Sequence, residues 1–134
     1  MNILFLCTGN SCRSQMAEGW GRQLSSDHMF RSAGIEAHGK DPRAIAVMAE
    51  AGVDISGQES TQLTDDMPGW ADLVVTVCGH ADDNCPVLPT GVRKLHWPLD
   101  DPAKATGDAA SVLQVFRNSR DEIHGRLQAL LETL

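Results

Sequence analysis

The chain has 134 residues, 42% of them hydrophobic and 22% charged, the size of one ordinary domain and a composition that argues against disorder. Eighteen acidic residues against 11 Lys plus Arg leave a formal net charge of −7, unlike a general nucleic-acid binder, whose affinity rests on neutralising phosphates. No apolar run reaches the roughly 18–20 residues of a membrane span, and Ile3–Cys7 is too short and lacks the basic flank of a signal peptide, so residues 1–134 are read as one cytoplasmic domain, expected to be monomeric.

Asn2–Leu6 is apolar without alternation, which predicts a strand buried on both faces of a parallel sheet. From Cys12 to about Leu24 a helix is expected, with Met16, Trp20 and Leu24 on one face. Met29–Ala33 predicts a second strand, stopped by Gly34. Asp41-Pro42, a cap followed by a first-turn proline, opens a helix carrying Ile45, Val47, Met48 and Ala51 and closed by Gly52. Asp72–Val77 is the clearest strand, β-branched and nearly continuous. It runs into Cys78 and a polar stretch, Gly79–Asn84, expected to be flexible. Lys94–Trp97 predicts a fourth strand, and from about Ser111 onward Val112, Phe116, Ile123, Leu127 and Leu130 trace a long amphipathic helix. The alternation implies an α/β fold, an open parallel four-stranded sheet with helices on both faces. Ligands of such folds bind beyond the carboxyl ends of the strands, where Cys7, Cys78 and Asp101 all fall.

The first loop, Cys7-Thr8-Gly9-Asn10-Ser11-Cys12-Arg13-Ser14, lies between a strand end and a helix start. Backbone N–H groups and the helix dipole favour an anion there. Gly9 is expected to supply a backbone angle that other residues resist. Arg13 can close its planar fork on two oxygens of a tetrahedral anion, against the overall negative field. The same surroundings favour a Cys7 thiolate, with Ser14 donating to the sulfur. An inert Cys7 in a capping turn would leave Arg13 and the polar loop without a role.

Four cysteines in a cytoplasmic chain point to catalysis or metal binding rather than stapling. Cys78 and Cys85 have six residues between them, wider than the gap of about two in most zinc half-sites. Arg13 disfavours a cation beside Cys7 and Cys12, so no metal is expected. The alternative is a thiol relay. Cys78 shares a sheet edge with Cys7, and Cys85 lies beyond a segment able to carry a disulfide outward to a reductant. Cys12 is read as a buried packing residue. Asp101 before Pro102 is placed for general acid chemistry, or simply for turn formation. His80 and His96 are read as ordinary surface or core histidines. Trp20, Trp70 and Trp97 are read as core or site wall, and Asp65-Asp66 and Asp82-Asp83 as solvated surface.

The loop resembles the phosphate loop of low-molecular-weight protein tyrosine phosphatases. Together with Gln15-Met16-Ala17-Glu18-Gly19, Ser32-Ala33-Gly34-Ile35-Glu36, Val75-Thr76-Val77-Cys78, Asn84-Cys85-Pro86, His96-Trp97 and Asp100-Asp101-Pro102-Ala103, the chain is similar to the thioredoxin-coupled arsenate reductases, which share that fold. Gln15 replaces the proline usual after Arg-Ser in the phosphatases, and the chain has no tyrosine, so the aromatic pair after their Asp-Pro is missing. The resemblance implies that Thr8, Gly9, Asn10, Ser11, Cys12, Arg13 and Ser14 bind arsenate, with phosphate or sulfate as mimics. It implies that Cys7 attacks arsenic, Asp101 is the general acid, and Cys78 and Cys85 pass the oxidation to thioredoxin without a cofactor. Asn10 would hold the loop's strained turn. Potassium, bound by some members through groups matching Asn10, Glu18 and Ser32, has Thr61 where a further acidic ligand is expected. A phosphatase with an incidental second cysteine pair, and a non-catalytic redox or metal-binding regulator, are the competing readings.

Overall fold

The computed structural model describes residues 1–134. Strands β1 (Asn2–Cys7), β2 (Met29–Gly34), β3 (Leu73–Thr76) and β4 (Arg93–His96) form one parallel sheet in the order β2-β1-β3-β4. β1 is interior, and Ile3, Leu4, Phe5 and Leu6 are fully buried, which explains an apolar run without alternation. Leu6 pairs with Ala33 on one side and Thr76 on the other, and Thr76 pairs with His96. The carboxyl ends of the strands are therefore level.

Five helices complete the fold: α1 (Arg13–Leu24), α2 (Pro42–Glu50), α3 (Met67–Trp70), α4 (Gly79–Asp83) and α5 (Ala109–Glu132). Parallel strands need crossovers, and these are right-handed. Stepping from β1 outward to β2 and then back across to β3 therefore uses opposite faces. α1 and α5 cover one face, joined by the Trp20 indole donating to the Arg120 carbonyl at 3.2 Å. α3 and α4 each contact β1. Phe5, Leu6, Met16, Phe116, Ile123 and Leu127 meet in one continuous core.

Local chemistry sets the helix starts. Asp41 caps α2 by accepting from the Arg43 N–H at 2.9 Å, and Asp108 caps α5 by accepting from the Ser111 N–H at 2.7 Å. Two expectations change. The stretch 79–84, read as flexible, contains the helix α4, because the Cys78 sulfur accepts the Ala81 N–H at 3.3 Å and so starts it. Asp82, read as solvated, is half-buried and bonded to β3 and β4.

Candidate active site

Cys7 ends the central strand and is buried. Its sulfur accepts the Asn10 N–H at 3.2 Å and lies 2.8 Å from Ser14 Oγ. Ser14 Oγ already accepts from Asn10 Nδ2 at 2.7 Å, so its own proton is free to point at the sulfur. Both polar neighbours can thus donate to the sulfur.

Asn10 is the one non-glycine residue with positive φ, at 49°, a conformation with a cost that its side chain must offset. Its Nδ2 donates to Ser14 Oγ and, at 3.0 Å, to Ser32 Oγ. Its Oδ1 accepts from Gln15 Nε2 at 3.1 Å and from the Thr61 N–H at 2.8 Å. All four hydrogen-bonding positions of the carboxamide are used. Gly9, expected to take the unusual angle, does not have positive φ. It is needed for space instead, because a Cβ there would collide with the His38 ring. Gly34 has the same role on β2, where a Cβ would meet Glu36 O, Asn10 N and Thr8 O.

Arg13 opens α1 and is buried. Its Nη1 donates to the Leu99 carbonyl at 3.0 Å, and its Nη2 stands 3.7 Å from Asp101 Oδ2. Asp101 Oδ1 accepts the Ala103 N–H at 3.0 Å, so the carboxyl is held at the mouth by the turn that follows β4. Thr8 Oγ1 lies 3.3 Å from Cys78 Sγ. Cys7, Thr8, Gly9, Ser11, Cys12, Arg13, Cys78 and Asp101 all line one cleft of about 780 Å³. Asn10 and Ser14 stand behind it as supports, and Cys85 lies outside it. The arrangement offers a sulfur nucleophile, a fixed guanidinium, a carboxyl and a second thiol to one small anion.

Residues 2–134 match the family described as low molecular weight phosphotyrosine protein phosphatase. An arsenate reductase from Halalkalibacterium halodurans is 53% identical over 132 residues, covering 98% of this chain and 95% of that one. This chain belongs to the low-molecular-weight phosphatase family, among its arsenate reductases. A solved arsenate reductase in the phosphate-binding state is 34% identical with a TM-score of 0.79, over 98% of this chain and 97% of that chain. A thioredoxin-dependent arsenate reductase from Corynebacterium glutamicum is 31% identical with a TM-score of 0.78, over 98% of this chain and 60% of that chain.

Within this family frame the four cysteines are free and differ sharply. Burial pushes the Cys12 thiol up to about 12, which suits a packing residue rather than a nucleophile. Burial also raises Cys85, which is half-buried beyond α4. No three His, Cys, Asp or Glu side chains converge as a metal site. The Asn10–Ser32–Glu18 chain does not fit an added potassium ion. Ser32 Oγ donates to Glu18 Oε1 at 2.6 Å, the Arg22 guanidinium stands 2.8 Å from Glu18 Oε2, and both acceptor positions of Asn10 Oδ1 are taken. The chain's own arginine neutralises that carboxylate, whose pKa burial nevertheless raises.

Sequence reasoning passed over His38 and Lys104, which also line the cleft. Lys104 had a signal, since it follows Asp101-Pro102 within a single turn of 3₁₀ helix, Pro102–Lys104. His38 had none, because only the fold brings it against Gly9.

Proposed function

We propose that this protein reduces arsenate to arsenite through a relay of Cys7, Cys78 and Cys85, and that thioredoxin restores it. It acts as a cytoplasmic monomer, and its four free cysteines suit a reducing compartment. The convergence of Cys7, Arg13, Asp101 and Cys78 on one cleft carries this reading, in a chain 53% identical to an arsenate reductase.

Arsenate lies against the N–H groups of the loop under Arg13. The Cys7 thiolate attacks arsenic while Asp101 protonates a departing oxygen, which leaves as water. The Cys78 thiolate, beside Thr8 Oγ1 at 3.3 Å, then attacks the Cys7 sulfur. The sulfur–arsenic bond breaks with its electron pair on arsenic, so arsenic(V) becomes arsenic(III) as two thiols become a disulfide. Cys85 attacks Cys78 and releases Cys7 as a thiolate. The Cys78–Cys85 disulfide is reduced by the dithiol of thioredoxin. Weak hydrolysis of aryl phosphates accompanies the same loop.

Arsenate-dependent NADPH oxidation with thioredoxin and thioredoxin reductase tests the reading. Turnover is expected to be sustained in the native chain and absent in Cys7→Ser and Cys78→Ser, while Cys85→Ser completes about one cycle and stalls. Hydrolysis of para-nitrophenyl phosphate is expected to survive in Cys78→Ser. Ester hydrolysis without arsenate turnover, even with glutathione and glutaredoxin supplied, would make the protein a phosphatase instead.

A further inference from the structure

One carboxylate ties the Cys78–Cys85 segment to the sheet. Asp82 Oδ1 accepts from Lys94 Nζ of β4 at 2.7 Å and from Thr76 Oγ1 of β3 at 3.1 Å, with His96 Nδ1 3.8 Å away. Lys94 Nζ also donates to the Asp82 carbonyl at 3.4 Å, the oxygen that accepts the Cys85 N–H at 3.4 Å. Lys94 is therefore within electrostatic reach of Cys85. Burial raises the Cys85 thiol, Lys94 lowers it, and Asp82 raises it. Asp83 acts on Lys94, and Asp65 lines the groove beside Pro86.

The other end of the segment is held by sulfur. Cys78 Sγ caps α4 through the Ala81 N–H, and α4 has only five residues. A helix that short depends on its cap and its tertiary contacts. The sulfur required to attack Cys7 is thus the one that starts the helix carrying Asp82.

We propose that Lys94 is the positioning residue that makes Cys85 a nucleophile, and that Asp82 withholds it until Cys78 leaves the cap of α4. The inference rests on the relay proposed above. Once Cys78 is bonded to Cys7, the Ala81 N–H loses its thiol acceptor, α4 loosens, and the Asp82 carboxylate is no longer fixed on Lys94. The ammonium becomes the counter-ion of the Cys85 thiolate, which attacks the Cys78 sulfur. The Cys7–Cys78 bond breaks with its electron pair on Cys7, and the Cys78–Cys85 bond forms. No electrons enter or leave the chain in this step. Cys85 is thereby kept quiet until a disulfide exists for it to attack.

Alkylation of Cys85 by iodoacetamide, followed across pH as the mass of its peptide, tests this without arsenate or thioredoxin. Cys78→Ser keeps a capping oxygen and Cys78→Ala removes it. The alkylation midpoint is expected about one pH unit lower in Cys78→Ala than in Cys78→Ser, with about tenfold faster reaction at neutral pH. Greater exposure alone would also speed the reaction, so the decisive arm is Lys94. In the Cys78→Ala background, Lys94→Gln is expected to return the midpoint to that of Cys78→Ser, and Lys94→Arg to keep it low. Asp82→Asn is expected to give the low midpoint with either residue at position 78. Equal midpoints for Cys78→Ser and Cys78→Ala, or a midpoint that Lys94→Gln does not move, would overturn the proposal. A failed reductase reading would show separately, as absent NADPH oxidation in the native chain.

Discussion

At the scale of single residues, the state of the Cys7 sulfur depends on groups that do not touch the cleft. Ser14 can donate to the sulfur because Asn10 occupies its oxygen, and Asn10 can do so because Gln15 and Thr61 hold its other end. On the proposed attack by a Cys7 thiolate, Ser14→Ala removes a hydrogen bond to the charged sulfur, worth about 1.5–3 kcal/mol, so kcat/KM is expected to fall roughly tenfold to a hundredfold. Steady-state kinetics on arsenate and on para-nitrophenyl phosphate should fall together. Asn10→Ala goes further, since it strips four bonds and leaves an ordinary side chain at φ 49°. A loss of about 2–4 kcal/mol in urea unfolding is expected, from left-handed strain together with unmet buried partners. Cys12, raised to about 12 by burial, is expected to stay unlabelled by iodoacetamide in the folded chain near pH 8, while unfolding in urea exposes it to full labelling.

At the scale of elements, the sequence made the sheet legible and left the smaller helices hidden. β1 and β3 read correctly because burial on both faces demands apolar runs, and α5 because Phe116, Ile123 and Leu127 keep helical spacing toward the core. α4 was hidden because Gly79-His80-Ala81-Asp82-Asp83 has no apolar period. Its order comes from the Cys78 cap and from Lys94 and Thr76, none of which lies inside it. In the first loop the composition pointed to Gly9 for the unusual angle and the resemblance to Asn10 for the strained turn; the positive φ falls on Asn10, because a carboxamide anchored on all sides can hold it. α2 and α5 are joined by Glu50, which accepts from Arg117 Nε and Nη2 at 2.9 Å each and from Arg120 Nη1 at 3.2 Å. The Arg117 guanidinium holds the Glu50 carboxyl below its ordinary value of 4.5. A depressed folded value means the contribution is fully present above the unfolded value and fades as pH falls through the folded one. Urea midpoints of the native chain and Glu50→Gln are thus expected to differ at neutral pH and to converge in acid, once the pH has fallen through the lowered carboxyl. A difference that persists in acid would assign the helix contact to packing alone.

For the whole molecule, the site has a charge problem that its local groups must solve. The chain carries −7, and the cleft itself sets Arg13 and Lys104 against Asp100 and Asp101. A tetrahedral anion approaching from solvent meets repulsion at long range and attraction only within the loop, where Arg13 and the backbone donors are buried and poorly screened. These two ranges respond differently to salt. Screening at a Debye length of about 8 Å weakens the long-range field and leaves the buried contacts largely intact. The kcat/KM for arsenate is therefore expected to rise modestly, by about twofold or less, as sodium chloride is raised from roughly 10 to 150 mM at constant pH. Lys104→Gln should sharpen the contrast, because it removes an exposed cation from the lining of the cleft. That variant is expected to lose several-fold in kcat/KM at low salt and less at high salt. A steep fall with salt in the native chain would mean that the rim of the cleft, rather than the net charge, governs the approach of the anion.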